Sequence, residues 1–111
     1  MNKSEWIKRI KADTDKAGTY KPFFDAVIDT LAGILEERDK AQETFEKLGG
    51  QVIVKHTNKG GATNLEQNPA LRLVNDLNRD ALAYWRDLGL TPKGLKVINE
   101  SALKEQKVDA L

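Results

Sequence analysis

The chain has 111 residues, of which 40% are apolar and 32% are charged, and its net charge at neutral pH is +1. This length suits one domain and is too short for two independent cores, and the composition is globular rather than disordered. No stretch approaches the roughly 18 apolar residues that a membrane span requires. The absence of cysteine excludes disulfides and thiolate metal sites.

The small net charge is distributed unevenly along the chain. Residues 1–22 contain six Lys or Arg against three acidic residues, whereas residues 23–48 contain three against seven. Proteins that coat nucleic acid without sequence preference are usually far more basic. Any DNA contact must therefore come from a local patch, or from a patch repeated by oligomerisation. The N-terminus intersperses charge with apolar residues and does not match a secretory signal.

A short amphipathic helix is predicted from residue 4 to about residue 17, with Ser4 as its N-cap and Gly18 at its end. Apolar side chains lie on or near one face of it: Trp6, Ile7, Ile10 and Ala17. Three basic side chains fall towards the other side and form the first candidate DNA contact: Lys8, Arg9 and Lys11.

A long helix is predicted next, from about Tyr20 to Leu48, with Pro22 in its first turn and Gly49-Gly50 beyond its end. Its seam has the 4-3 spacing of coiled coils and consists of Val27, Leu31, Ile34, Arg38, Ala41, Phe45 and Leu48. Arg38 interrupts this apolar seam. Either it pairs with a carboxylate, for which Asp76, Asp80 or a glutamate of another subunit are candidates, or its head reaches water while its stem packs.

A small β-hairpin is predicted between residues 51 and 66, with strands at 51–55 and 62–66 around the Asn58–Gly61 turn. An isolated hairpin is marginally stable, so it must lean on the helices or on a neighbouring subunit. Lys55, His56 and Lys59 form a second candidate phosphate contact. The alternative for His56, the only histidine, is an exposed loop residue without a function.

A third helix is predicted from Asn68 to Gly89, because an Asn-Pro pair opens it and a glycine closes it. Thr91-Pro92 reads as a second cap, followed by a short helical piece through Leu95 and Ile98. Arginines recur every seven residues at positions 72, 79 and 86. Ion pairs of Arg72 and Arg79 with Asp76 inside the helix are favoured over DNA contact for these arginines.

These elements predict a mainly α fold, in which a long helical hairpin carries a short N-terminal helix and a small β-hairpin lies between the two long helices. Residues 1–98 form a single domain and residues 99–111 a weakly ordered tail. Because the apolar surface exceeds what one helix pair covers, we expect self-association; the alternative is a monomeric three-helix fold. Candidate interface residues are Val27, Leu31, Ile34, Arg38, Phe45, Leu48, Tyr84 and Trp85.

Several segments, taken in order, give the chain a family resemblance. They are TYKP (19–22), LEERDK (35–40), HTNK (56–59), GGATN (60–64), NPAL (68–71) and AYWRDLGLTP (83–92). Together they resemble the small subunits of phage terminases, over about residues 5–98. One departure is the sequence after Thr91-Pro92, where many members carry a Ser/Arg-rich stretch and this chain has Lys93-Gly94-Leu95-Lys96.

The resemblance implies a ring-forming homo-oligomer that recognises double-stranded viral DNA in the cytoplasm of the bacterial host. It also implies a partner, the large terminase subunit that holds the ATPase and nuclease. The sequence contains no recognisable set of nucleophile, base and orienting group, so we expect no enzymatic activity. We also expect no cofactor and no membrane partner. The alternative function is a helical oligomeric adaptor that does not bind DNA directly.

Overall fold

Four helices and one β-hairpin make up the part of the protein that the structure describes. The computed structural model describes residues 1–109, with side chains through residue 104. In chain order the elements are α1 (Lys3–Ala17), a 3₁₀ turn (Pro22–Phe24), α2 (Asp25–Lys47), β1 (Ile53–Thr57), β2 (Thr63–Gln67), α3 (Pro69–Asp87) and α4 (Pro92–Asp109). The prediction of a mainly helical fold with a small antiparallel sheet between helices is confirmed.

The N-cap of helix α1 lies two residues before the predicted one, Ser4. Its N-cap is Asn2, whose side chain accepts a hydrogen bond from the Glu5 backbone N–H at 2.9 Å. Glu5 in turn accepts from the Asn2 backbone N–H, which completes a capping box. The prediction of Ser4 as the cap was wrong because a box built on Ser4 would need a glutamate at position 7, where isoleucine stands.

The core is formed where α1 and α3 pack on α2. Its fully buried side chains include Ile10 of α1, Leu31 and Leu35 of α2, and Ala81 of α3. Leu88, just after α3, closes the core at the end that also holds the N-terminus of α2. Beyond the reach of α1, the second half of α2 and the first half of α3 continue as a helix pair towards the hairpin.

The β-hairpin pairs Ile53 with Gln67 at its base and Thr57 with Thr63 near its turn. The observed strands are shifted by one or two residues from the predicted ones, because the pairing register and not the β-branched run sets their limits. Asn68 ties the hairpin to α3. Its backbone N–H donates to the Val52 carbonyl, its side-chain amide donates to the Gln51 carbonyl, and its Oδ1 accepts from the Ala70 N–H.

The junction of α3 and α4 depends on two glycines. Gly89 takes a left-handed conformation with φ 72°, as the sequence predicted for the end of this helix. Gly94 lies in the first turn of α4, and a Cβ atom there would come within 2.1 Å of the Arg86 carbonyl oxygen. Thr91 Oγ1 accepts a hydrogen bond from the Gly94 N–H at 3.0 Å, so the predicted cap and restart at Thr91-Pro92 are also confirmed.

The molecule is elongated. Its principal extents are 74 × 26 × 19 Å and its radius of gyration is 19.6 Å, against about 13 Å for a compact chain of this length. Helix α4 continues through Asp109, and the end of the predicted tail, Leu111, lies outside the described residues. No helix within the described residues is both long and apolar enough to cross a membrane.

Candidate nucleic-acid and subunit interfaces

The structure does not bring the three basic residues of α1 together. Arg9 Nε lies 3.2 Å from Oδ2 of Asp13 on the same helix, and Lys11 Nζ lies 3.7 Å from Oδ1 of Asp25 at the start of α2. Arg9 and Lys11 therefore point to different flanks of α1, and each faces a carboxylate. Lys8 is exposed between them. The segment keeps its positive excess, but two of its three candidate cations are locally balanced.

The β-hairpin separates its candidate residues between two faces. Lys55 lies opposite Leu65 on one face, whereas His56 lies opposite Asn64 on the other. His56 Nδ1 is 3.8 Å from Oε1 of Glu66, a contact that becomes an ion pair only when the imidazole is protonated. Lys55 instead shares its face with the apolar Ile53 and Leu65 and with hydroxyl and amide side chains, namely Thr57, Thr63 and Gln67.

The third candidate of the hairpin, Lys59, lies in its turn. Asn58 orders this turn, because its Oδ1 accepts hydrogen bonds from the backbone N–H groups of Gly60 at 2.9 Å and Ala62 at 3.1 Å. Among the described side chains, no carboxylate lies within 4.0 Å of Lys55 or Lys59. The hairpin therefore offers two exposed lysines without ion-pair partners, on a ribbon that extends from the helices.

The candidate interface residues occupy very different environments. Leu31 is fully buried within the subunit. Four others pack partly buried against the core: Val27, Ile34, Tyr84 and Trp85. Phe45 is half-buried, and Leu48, at the end of α2, keeps 68% of its surface exposed. Of the apolar candidates, Leu48 is thus the most available to another chain.

Arg38 finds neither of the aspartates expected for it. Its Nη2 and Nε donate to Oδ1 of the neighbouring Asp39 at 3.1 and 3.4 Å, and its Nη1 donates to Oδ1 of Asn78 at 3.2 Å. Its guanidinium also lies 5.4 Å from the centre of the Trp6 ring. Neither candidate partner within the chain, Asp76 or Asp80, pairs with Arg38, because both aspartates lie on the outer face of α3 while Asn78 borders α2. A pair with a glutamate of another subunit stays a prediction.

Asp39 gathers donors from three parts of the chain. Besides Arg38, it accepts from Nε1 of Trp6 at 2.8 Å and from the Met1 amino group at 3.0 Å. Burial raises the pKa of this carboxyl, but the hydrogen bonds from Trp6, Met1 and Arg38 together outweigh burial and hold the pKa below its ordinary value. Sequence patterns could not predict this cluster, because its members are up to 38 residues apart.

Helix α3 carries one ion pair among the described side chains, between Arg79 and Asp76. The second pair expected inside this helix, between Arg72 and Asp76, is not formed. Arg72 and Arg86 are exposed and have no carboxylate partner among the described side chains. The seven-residue spacing of the arginines therefore leaves a row of positive charge along the outside of α3.

A cleft of about 360 Å³ lies between α1 and the end of α3, and the sequence did not predict it. It is lined by both tryptophans of the chain together with Arg9, Ile10, Asp13, Leu90 and Thr91. The described residues also contain no group of three histidine or acidic side chains that could hold a metal ion.

Comparison with known proteins gives one finding for nearly the whole chain. The family model described as "Phage terminase, small subunit" matches residues 3–104, which include α1, α2, the hairpin, α3 and most of α4. No curated protein and no solved structure matches the chain. The family match agrees with the sequence resemblance, and the chain belongs to the phage terminase small-subunit family.

Proposed function

We propose that the protein recognises viral DNA as the small subunit of a phage terminase and regulates the large ATPase and nuclease subunit during genome packaging. The family match over residues 3–104 carries this proposal. Small subunits of terminases are generally non-catalytic, so we propose that the protein has no enzymatic activity of its own. Its place of action is the cytoplasm of the bacterial host, where packaging occurs.

The β-hairpin is the segment that we assign to DNA contact. Lys55 and Lys59 lack acidic partners among the described side chains, whereas Arg9 and Lys11 of α1 each face an aspartate. A two-stranded ribbon is also an element that the major groove of B-DNA admits. The hydroxyl and amide groups beside Lys55 are of the kinds that donate to phosphates and base edges. The absence of acidic partners around Lys55 and Lys59, among the described side chains, is the observation that favours the hairpin over α1.

A single hairpin provides only two unpaired lysines, so we propose that binding depends on several subunits presenting the same ribbon. Contacts that are weak singly become strong when an assembly offers many of them to one duplex. Self-association is supported by exposed apolar side chains at the base of the hairpin, which are Leu48, Val52 and Ile53. Burying this surface between copies would also stabilise a ribbon that is marginal in isolation.

A salt series with duplex DNA tests the proposal. Each phosphate contact should contribute about 0.9 to the slope of log affinity against log salt. We expect Lys55→Glu with Lys59→Glu to weaken binding and flatten the slope. A matched control, Lys16→Glu with Lys40→Glu, makes the same change in charge and should bind like the wild type. Lys8→Glu with Arg9→Glu tests the α1 segment in the same way.

The alternative is an adaptor that holds other packaging proteins together without touching DNA. The net charge of +1 and the ion pairs of Arg9 and Lys11 favour it. This function predicts that the wild type binds no duplex from its own viral genome at any salt concentration. That result would reject the hairpin assignment, whereas binding that survives in both the hairpin and the α1 variants would place the DNA contact elsewhere on the chain.

A further inference from the structure

The outer surface of α3 carries two parallel rows of opposite charge. A helix turns by about 100° per residue, so residues seven apart stand almost directly above one another. Arg72, Arg79 and Arg86 therefore form one row, which we call the arginine stripe. Asp76, Asp80 and Asp87 form a second row, the aspartate stripe, displaced by about 80° around the helix. All six residues are exposed.

Both stripes face away from the core of the subunit. The inner side of α3 is marked by the buried Val74, Leu77 and Ala81, and the stripes occupy the opposite half of the helix. Within the helix only Arg79 and Asp76 pair, among the described side chains. Most of the charge on each stripe is therefore available to another molecule.

We infer that these stripes select a parallel, side-by-side arrangement of α3 helices from neighbouring copies of this chain. When two helices run parallel around a common axis, one flank of the first meets the opposite flank of the second, as the e and g positions do in parallel coiled coils. The arginine stripe of one copy then faces the aspartate stripe of the next. The inference rests on the self-association in the proposed function, and it adds the relative orientation of the α3 helices of neighbouring copies.

The charges also exclude the opposite arrangement. Antiparallel helices bring like flanks together, so arginine would face arginine and aspartate would face aspartate. In the parallel arrangement without an axial shift, Arg79 and Asp80 stand at nearly the same height, as do Arg86 and Asp87, because neighbours in a helix differ by about 1.5 Å. A contact between two different flanks is heterologous, and repeating it gives a ring if the rotation closes.

Exposed ion pairs are weak, so the stripes set orientation and register while apolar contacts supply affinity. Two leucines that are nearly half exposed border the stripes: Leu82, at 47%, beside the arginines, and Leu73, at 48%, beside the aspartates. Duplex DNA is the competing partner for the arginine stripe. The adjoining row of three carboxylates opposes it, because phosphates would be repelled along the same face.

Charge reversal tests the inference through the mass measured by light scattering. One variant changes the three arginines to glutamate (Arg72→Glu, Arg79→Glu, Arg86→Glu), and the other changes the three aspartates to lysine (Asp76→Lys, Asp80→Lys, Asp87→Lys). Each alone presents like charges on both flanks and should stay monomeric at concentrations where the wild type assembles. Mixed in equal amounts, the two should recover an assembled mass, and a six-fold variant carrying both sets should assemble like the wild type.

The control is Lys16→Glu with Lys21→Glu and Lys40→Glu, which changes the net charge as the arginine variant does but lies off α3. It should assemble normally; dissociation of this control would assign the effect to net charge and overturn the inference. Circular dichroism checks folding, and if a triple variant loses helicity, Arg79→Glu and Asp80→Lys are mixed in its place. The inference also fails if either variant reaches the wild-type mass alone, or if the mixture stays monomeric.

DNA binding separates this inference from the proposed function. If the arginine variant assembles normally but no longer binds duplex, the stripe is a DNA surface and the inference is wrong while DNA recognition stands. If wild-type protein is monomeric, the inference fails and the salt series still decides whether the hairpin binds DNA. If assembly follows the charge rules but no duplex binds, the inference stands and the adaptor function replaces DNA recognition.

Discussion

The hydroxyl of Thr19 donates a hydrogen bond of 2.8 Å to the carbonyl oxygen of Leu88, across 69 positions of sequence. Both residues are buried. The bond joins the turn between α1 and α2 to the end of α3, and it satisfies a carbonyl that no longer has a partner inside its helix. Gly89 packs against the same threonine, since a Cβ there would lie 2.8 Å from the Thr19 methyl group.

Removing this hydroxyl should destabilise the subunit. Thr19→Val keeps the shape of the side chain but leaves the Leu88 carbonyl buried and unpaired, which typically costs about 1–3 kcal/mol of unfolding free energy. Thr30→Val is the matched control, because the exposed Thr30 bonds only to the Ala26 carbonyl of its own helix. Urea denaturation at one protein concentration compares them, and equal losses in both variants would contradict the prediction.

Alanine should have opposite effects at two helical glycines. At Gly94 the new methyl group would collide with the Arg86 backbone, so α4 must move away from α3. At Gly33, in the middle of α2, the nearest atom to such a methyl is 3.9 Å away, on the flexible Lys3 side chain. We expect Gly33→Ala to raise the unfolding free energy by about 0.5–1 kcal/mol, and Gly94→Ala to lower it.

Thermal melts of both variants check this pair of predictions. A melting temperature for Gly94→Ala equal to or above that of the wild type would show that the junction of α3 and α4 is looser than the structure indicates. A lowered melting temperature for Gly33→Ala would show that the space between Gly33 and the Lys3 side chain does not accommodate the methyl group.

Acid should weaken the subunit partly through Asp39. The pKa of this carboxyl is lowered in the folded state because hydrogen bonds from Trp6, Met1 and Arg38 outweigh the effect of burial. A lowered folded pKa contributes stability above the unfolded value, about 3.9 for aspartate, and that stability is lost as the pH falls through the folded pKa. Asp39→Asn should therefore be less stable at pH 7 and show a shallower loss of stability below about pH 4.

Unfolding free energies measured between pH 3 and pH 7 check this prediction. The fall in acid will not vanish in the variant, because Glu36 also has a lowered pKa, chiefly through a hydrogen bond from the Lys3 backbone N–H. Parallel curves for the variant and the wild type would mean that Asp39 does not contribute to the pH dependence.

A charge at the end of α2 should reduce assembly without harming the subunit. Leu48 is 68% exposed, so Leu48→Asp removes little packing within one chain but places a carboxylate in any contact made there. Thr44→Asp, on the outer face of the same helix, is the control. Light scattering should give a lower mass for the Leu48 variant alone, and an unchanged mass would remove Leu48 from the interface.

The ends of α3 could be predicted from the sequence because their signals are local. Asn68 and Pro69 begin the helix, and Gly89 ends it, through contacts within a few residues. The hairpin and its turn were predicted for the same reason. The limits of the two strands could not be predicted, because each limit depends on which residue of the other strand pairs with it.

The partners of Arg38 and Asp39 could not be predicted, because they are set by how three helices meet. Helical spacing placed Arg38 on the inner seam correctly, but it does not tell which residue of α3 stands opposite, and Asn78 does. The surroundings of the α1 candidates Lys8, Arg9 and Lys11 could not be predicted for a related reason, because α2 supplies the Asp25 carboxylate that Lys11 faces. The contact of these residues with DNA stays a prediction.

The elongated shape of the subunit bears on how its assembly should be measured. A particle of 74 × 26 × 19 Å diffuses more slowly than a sphere of the same mass. Gel filtration, calibrated with compact standards, will therefore overestimate its molecular weight even when it is a single chain. In the proposed ring, rods that stand along the ring axis give a narrow, tall particle and rods that splay outwards give a wide, flat one. Electron micrographs of the assembly should therefore distinguish upright from splayed subunits by diameter.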